Sequence, residues 1–228
     1  MNTLISVLMS VRNDEKNLKT SIESILKQTY TKFEFLIIDD FSDDGSLNII
    51  KNYANEDNRI KVFTNKTNEG LTKSLNKLIH VSNGEFIARQ DSDDISFTSR
   101  FEKQIRYAFE NNLDVVGSRA VIKNSKKIIP GLSFYLPLKA LIKFKNPFIH
   151  GSLLFKKEIL EKVNYYDEKF YYAQDYKLMS DILKAKGNVK IMNNVLYELN
   201  VLDNISTIYY EQQKYYSNCV KRNITPSI

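Results

Sequence analysis

Phe86-Ile87-Ala88-Arg89-Gln90-Asp91-Ser92-Asp93-Asp94 is the stretch on which the reading of this chain turns. Phe86-Ile87-Ala88 is apolar and short, as a buried strand would be, and three carboxylates follow within four residues. Two carboxylates one residue apart, just past a strand's end, can share a hard divalent cation while the chain turns. Magnesium and manganese prefer such oxygen ligands and take one or two carboxylates together with substrate phosphates. The competing reading of acids in this position is turn and helix-cap chemistry. For Asp94 that reading is an N-cap on the helix that follows.

Working outward, the first 120 residues alternate strand-like and helix-like segments. Residues 4–11 are a continuous apolar run of strand length, as expected for a strand covered on both faces. Leu18, Ile22, Ile25 and Leu26 give residues 18–28 helical spacing. A strand over 33–38 ends in Asp39-Asp40, and Ser42-Asp43-Asp44-Gly45 makes a turn before a helix over 47–54. Residues 60–63 predict a third strand. Leu71, Leu75, Leu78 and Ile79 line one face of a helix over 71–81. The fourth strand, 86–88, precedes a helix over 101–109, and Val115-Val116 opens another strand.

This rhythm predicts an α/β fold with a mostly parallel central sheet, right-handed crossovers and helices on both faces. Such sheets bind ligands at the carboxyl ends of their strands. Asn13, Asp39, Asp40, Asn68 and Asp91 to Asp94 each follow a predicted strand, so they converge on one rim as a polar ligand site. Past residue 120, Pro130-Gly131, Pro137 and Pro147 break the chain into short elements. A strand over 150–155, helices over 157–163 and 175–186, and a terminal helix over 206–222 are expected. No linker interrupts the pattern. We read residues 1–228 as one domain, with an N-terminal half to 120, a second half over 121–200 and a helical tail over 201–228.

The chain has 228 residues, 43% hydrophobic and 12% aromatic, enough for a real core and too apolar for wholesale disorder. No apolar run approaches the roughly 18 residues of a membrane span. Residues 4–11 are too short for a signal peptide and lack a basic leader. Cys219 is the only cysteine, which excludes intrachain disulfides and cysteine-based zinc sites and points to a cytosolic protein. The net charge of +6 comes from cations scattered among acids and forms no stripe with aromatic interleaving, so nucleic acid is not an expected partner. One local exception is Lys139, Lys143 and Lys145 beside Leu138, Leu141, Ile142 and Phe144, a short basic amphipathic stretch. Tyr209, Tyr210, Tyr215 and Tyr216 in the tail suit packing on the domain or on a second subunit. A lipid-interface role is the second reading of the tail.

Six segments in order resemble family-2 glycosyltransferases of the GT-A fold. They are Ser6-Val7-Leu8-Met9-Ser10-Val11-Arg12-Asn13, Ser24-Ile25-Leu26-Lys27-Gln28-Thr29-Tyr30, Ile37-Ile38-Asp39-Asp40-Phe41-Ser42-Asp43-Asp44-Gly45, Asn68-Glu69-Gly70-Leu71, the stretch from Gly84 to Asp94, and Ala173-Gln174-Asp175-Tyr176. The resemblance implies an inverting enzyme that binds a nucleotide-sugar, a UDP-sugar in the first instance, with its N-terminal half. Asp40 resembles the carboxylate that reads the base, with Ser10 and Asn13 lining the pocket; a carboxylate can accept the imide N–H of uracil. Asp39, Asn68 and Ser92 complete the donor set.

Asp93 then binds Mn2+ or Mg2+ directly, and Asp91 contacts the ribose or the metal through water. Asp175 resembles the catalytic base, with an N-cap role as its alternative and Asp167 as the reserve. Gln174 stands where the family usually has Glu, and His150 matches a position near the acceptor; both are assigned to acceptor binding. Glu198-Leu199-Asn200 stands where many relatives have Arg-x-His. The chain has no tryptophan and no Gln-x-x-Arg-Trp motif, which implies a single transfer and no polymerisation. The implied setting is bacterial cell-surface polysaccharide synthesis on a glycan or lipid-linked glycan, in the cytoplasm or at the membrane's cytoplasmic face, as a monomer or homodimer. A non-catalytic nucleotide-sugar-binding subunit is the alternative. Nucleotidyl transfer is disfavoured, because no Gly-rich phosphate loop follows the first strand.

Overall fold

The computed structural model describes residues 2–201 and 209–227. Its first half is built from β1 (Ile5–Val11), β2 (Phe33–Asp39), β3 (Ile60–Thr64) and β4 (Phe86–Arg89), with α1 (Leu18–Leu26), α2 (Ser46–Glu56), α3 (Leu71–Val81) and α4 (Arg100–Glu110) between and after them. The four strands pair in parallel in the order β3-β2-β1-β4. Burial on both faces explains the unbroken apolar runs. Ile5, Val7, Met9 and Val11 pack with Ile22 of α1, Ile50 of α2 and Phe101 of α4. Leu8 points the other way, into a second core with Leu75 and Leu78 of α3. Alternating residues of one strand thus seed two cores.

The second half adds β5 (Ile95–Ser96), β6 (Val115–Ile122), β7 (Ile128–Ile129), β8 (Leu154–Lys156) and β9 (Val189–Leu199), with α5 (Leu138–Leu141), α6 (Lys157–Lys162), α7 (Gln174–Lys184) and α8 (Tyr210–Arg222). The sheet continues β4-β8-β6-β9-β5, with β7 beside β6. The sheet is mostly parallel as expected, β6 and β9 included, and three short strands run against it. β8 lies antiparallel to both β4 and β6, and β5 antiparallel to β9. The connection from β6 to β8 carries no long helix to return the chain to the same edge, so β8 enters from the opposite end. The sheet is mixed.

Two local readings also change. Residues 150–152 form a 3-10 turn, and the strand expected from 150 begins only at Leu154. β9 was not foreseen, because Asn193-Asn194 in its middle reads as a turn. The register along β6 jumps from Ser118 opposite Met192 to Arg119 opposite Val195, so the two asparagines bulge out and the strand continues. The terminal helix begins at Tyr210, and residues 206–208 of the expected helix lie outside the described residues. α8 packs on the domain: Cys219 and Val220 are buried, and Tyr216 meets Phe170 and Tyr172 edge-on.

Arg100 fixes how the two halves meet. It is fully buried yet faces no carboxylate within bonding distance. It donates to Gln104 Oε1 (3.0 Å), Ser96 Oγ (2.7 Å), Gln90 Oε1 (3.2 Å) and the carbonyls of Arg89 (2.9 Å) and Leu153 (3.2 Å). Burial pulls its pKa down to about 10. Arg100→Met removes five hydrogen bonds in a dry site and leaves Gln104 Oε1 without a donor, an orphaned buried acceptor costing about 1–3 kcal/mol. Its expected cost is about 3 kcal/mol or more by urea unfolding, or a fall in thermal midpoint of about 6–12 °C at this chain size.

Candidate active site

The parallel register brings the predicted residues to one rim. Val11 pairs with Asp39, and Asp39 with Thr64, so three strands end on one level. Leu8 pairs with Arg89 and its carbonyl accepts the Gln90 N–H, so the chain after β4 climbs to the same level at Asp91 and Ser92. Ser10 is half-buried on β1, and Asn13, at a positive φ of 50°, takes the Asp43 N–H on its side-chain oxygen at 3.0 Å.

Asp39 and Asp40 behave differently although both are buried. Asp40 Oδ1 accepts from Asn65 Nδ2 and the Glu69 N–H, and its Oδ2 from the Gly70 N–H, each at 2.8 Å. Three of its four lone-pair sites hold the loop before α3 in place. Asp39 Oδ2 accepts the Ser42 N–H at 3.1 Å, while its Oδ1 is buried with no partner. Asn68 is exposed on this loop, and Asn65, not singled out in the sequence, lies against Asp40 in its stead.

Around the acidic turn, Arg89 is buried and donates to the side chain of Asp91, the Leu8 carbonyl and the Gln90 carbonyl. Its charge therefore lies directly against Asp91. The Asp91 N–H donates to Tyr197 Oη at 3.2 Å, and Ser21 Oγ donates to the Asp91 carbonyl at 2.8 Å. Ser92 Oγ donates to Asp14 Oδ2 at 2.6 Å, adding a third carboxylate to the cluster. The carboxyl of Asp93 is pushed up to about 6 by burial, then by the charges of Asp91 and Asp14. Among the described residues no set of three or more acids, histidines or cysteines converges as a self-contained metal cage. Two carboxylates held at elevated energy by mutual repulsion still fit a cation that completes its shell with phosphate and water.

Asp94 does not cap a helix. α4 starts only at Arg100, and Asp94 is instead buried, taking the Asn200 N–H at 2.6 Å and a hydrogen bond from Tyr197. Burial and its acidic neighbours raise its pKa well above the usual carboxylate range. It ties the acidic turn to the end of β9, the segment where the Arg-x-His pair is missing.

Asp175 is second in α7 and not its N-cap, a position held by Ala173 with a left-handed φ of 52°. Burial pushes its pKa up to about 6, with the Asp91 charge adding to the rise, while Asn146 Nδ2 donates to Oδ2 at 2.7 Å. Gln174 beside it is buried, and its side chain has no hydrogen-bond partner among the described residues. His150 Nε2 shares a 2.7 Å hydrogen bond with Tyr166 Oη; burial, then the Arg89 charge, pull its pKa down to about 3, so the ring is neutral. Asp167 is drawn off towards Lys177, 3.8 Å away, beside a cavity of about 450 Å³ lined by Asn76 and His80. The reserve base is therefore engaged by a lysine.

The residues that sequence reasoning missed are Asp14, Asn65, Asn146, Tyr166 and Tyr197. Asp14 could have been noticed as an acid directly after the Asn13 motif. The others carry no signal in the sequence, since a Tyr or Asn on a strand or loop is common.

Residues 6–178 match the model of glycosyl transferase family 2, and the chain belongs to that family. The O-antigen biosynthesis glycosyltransferase WbnJ of Escherichia coli is 35% identical over 191 residues, which cover 82% of this chain and 74% of WbnJ. WfgD of Escherichia coli, a UDP-Glc:α-D-GlcNAc-diphosphoundecaprenol β-1,3-glucosyltransferase, is 31% identical over 83% of this chain and 73% of its own. EpsE of Bacillus subtilis (strain 168) is 38% identical over 67% of this chain, which spans 56% of the length of EpsE. The S. aureus TarS 1-349 structure in complex with UDP-GlcNAc superposes with a TM-score of 0.77 at 21% identity, over 98% of this chain and 68% of that one. The fold is the GT-A type anticipated from the six segments.

Gly151 shows how tightly the site is built. A Cβ there would stand 2.1 Å from Tyr197 Oη and 2.7 Å from Asp91 Oδ2. Gly151→Ala is expected to cost about 1–3 kcal/mol through overpacking. Differential scanning should register this as a thermal midpoint about 2–12 °C lower.

Proposed function

We propose that this chain transfers one sugar from a UDP-sugar to a glycan or lipid-linked glycan acceptor, with inversion, in the cytoplasm during bacterial cell-surface polysaccharide synthesis. The observation that carries the proposal is the pairing, across one rim, of an uncaged acidic turn at Asp91 and Asp93 with a half-buried carboxyl at Asp175. Family membership supports the reaction class. The UDP-Glc donor and diphosphoundecaprenol acceptor of WfgD and the O-antigen biosynthesis served by WbnJ support the donor and acceptor classes.

On this reading the donor's base lies between β1 and β2. The orphaned Asp39 Oδ1 and the remaining lone pair of Asp40 Oδ2 are acceptors for its imide N–H. Ser10 and Asn13 line the same pocket, and Ser92 steadies the acidic turn through Asp14. Asp93, with Asp91, holds Mn2+ or Mg2+, which when bound offsets charge on the leaving diphosphate. Asp175 accepts the proton of the acceptor hydroxyl as that oxygen bonds the anomeric carbon and the bond to the diphosphate breaks. A pKa near 6 keeps it ionised at neutral pH while leaving it basic enough to take the proton. Asn146 fixes its orientation. Gln174 and His150, both uncharged, offer hydrogen bonds to the acceptor and do not compete for its proton.

Two experiments bear on this. Calorimetric titration of UDP with Mn2+ should show saturable binding by the wild type and none by Asp93→Ala; unchanged binding by the variant would remove the metal assignment. Asp175→Asn should keep UDP affinity while kcat falls about 10²- to 10⁴-fold. In the wild type, kcat should drop as pH falls through about 6, because protonation below its pKa disables a general base. A non-catalytic binding subunit would instead bind UDP and give no turnover for any lipid-linked or free glycan.

A further inference from the structure

Between Asp114 and Glu158 the chain contains no Asp or Glu, yet nine Lys and Arg fall there. Nine exceeds the net charge of +6 for the whole protein, so the remainder is net acidic and the positive charge belongs to this segment. Within it, large apolar side chains stand in solvent: Leu132 is 89% exposed, Tyr135 73%, Phe144 72% and Leu136 53%. These are among the most exposed large apolar residues in the described chain. Helical turns run from Pro137 to Lys145, burying Leu141 and Ile142. The opposite side presents Lys139 and Lys143 four residues apart, and Leu136, Ala140 and Phe144 at the same spacing. Lys139, Lys143 and Lys145 have no ion-pair partner among the described residues.

We infer that the 131–145 segment is a docking surface for an anionic lipid bilayer. Charge complementarity selects an anionic partner, and the protruding leucines and aromatics select one with an apolar interior. A soluble polyanion would use the lysines and leave Leu132 and Phe144 in water. No helix among the described residues is long and apolar enough to cross a membrane, so the contact is interfacial. The segment ends against the site: Asn146, directly after Lys145, holds Asp175. Seated on a bilayer, the chain would meet an acceptor carried on a lipid beside the residue assigned as base. That last consequence rests on the proposed function; the docking itself does not. The tyrosine-rich tail, packed on the domain through Tyr216, is not required for it.

Co-sedimentation with phosphatidylcholine vesicles, with and without phosphatidylglycerol, tests the inference. Wild type should bind the anionic vesicles and leave the neutral ones. Combined Lys139→Glu, Lys143→Glu and Lys145→Glu should weaken binding by about 100-fold, and combined Leu132→Ser and Phe144→Ser, with every charge kept, by about 10-fold or more. Absence of wild-type binding to anionic vesicles, or triple-variant binding equal to wild type, overturns the inference. An apolar variant that binds like wild type also overturns it, in favour of a site for a soluble polyanion. Unchanged circular dichroism certifies the folding of each variant. UDP titration without vesicles reports the donor site separately: vesicle binding without UDP binding would retain this surface and reject the proposed reaction.

Discussion

A buried cation with only neutral partners organises the centre of this protein. Arg100 reaches oxygens on β4, β5, α4 and the segment before β8, and its guanidinium lies within 5.3 Å of the ring of Phe101 and 5.2 Å of the ring of Tyr197. Dehydrating a guanidinium is costly, and the cost is tolerable only when its N–H groups are nearly all satisfied. That requirement specifies where four elements of two sequence-distant halves must stand. Because Gln90 is one of its acceptors, the chain entering the acidic turn is held from beneath before Asp91 and Asp93 leave the sheet.

Electrostatics above that cation follow a common logic. Asp91, Asp93 and Asp14 crowd together, among the described residues only Arg89 offsets their charge directly, and the penalty appears as a raised pKa at Asp93. Asp14 and Asp91 take side-chain donors from Asn17, Ser92 and Arg89, whereas the Asp93 carboxyl takes none among the described residues, unlike a carboxylate with a purely structural role. Asp40 and Asp94 show what that looks like: each is buried and each takes backbone N–H groups from a segment it positions. Among adjacent acids of one turn, the structure thus separates those that hold the chain from those left with open valence. His150 is neutral for the same reason that Asp175 is basic, since burial penalises whichever form is charged.

The two halves also differ in what they give the surface. The parallel half covers both faces of its strands and exposes few large apolar side chains beyond Phe41, Val81, Phe97 and Phe109. The segment between β6 and β8 departs from that pattern, with Leu132, Tyr135, Leu136 and Phe144 outside and Lys139, Lys143 and Lys145 without ion-pair partners among the described residues. Its buried residues, Leu141, Ile142 and Phe148, anchor it to the core beside α7. The segment is anchored by one side and apolar on the other, and it ends where Asn146 donates to Asp175.

The sequence by itself determined the parallel half, since continuous apolar runs, helical spacing and turn residues are local signals that packing on both faces only reinforces. It also determined the rim, because parallel strands carry their carboxyl ends to one side of the sheet, which put Asp39, Asp40, Asp91 and Asp93 within one neighbourhood. Division of labour among those acids was decided by tertiary structure alone. Whether a carboxylate holds a loop, caps a helix or stays free depends on which backbone N–H groups arrive beside it, and for Asp40 and Asp94 those come from 29 and 106 residues away. The antiparallel β8, the bulged β9 and the Tyr197 contact with Asp91 share that origin: long-range pairing overrode a local pattern that reads as loop or turn.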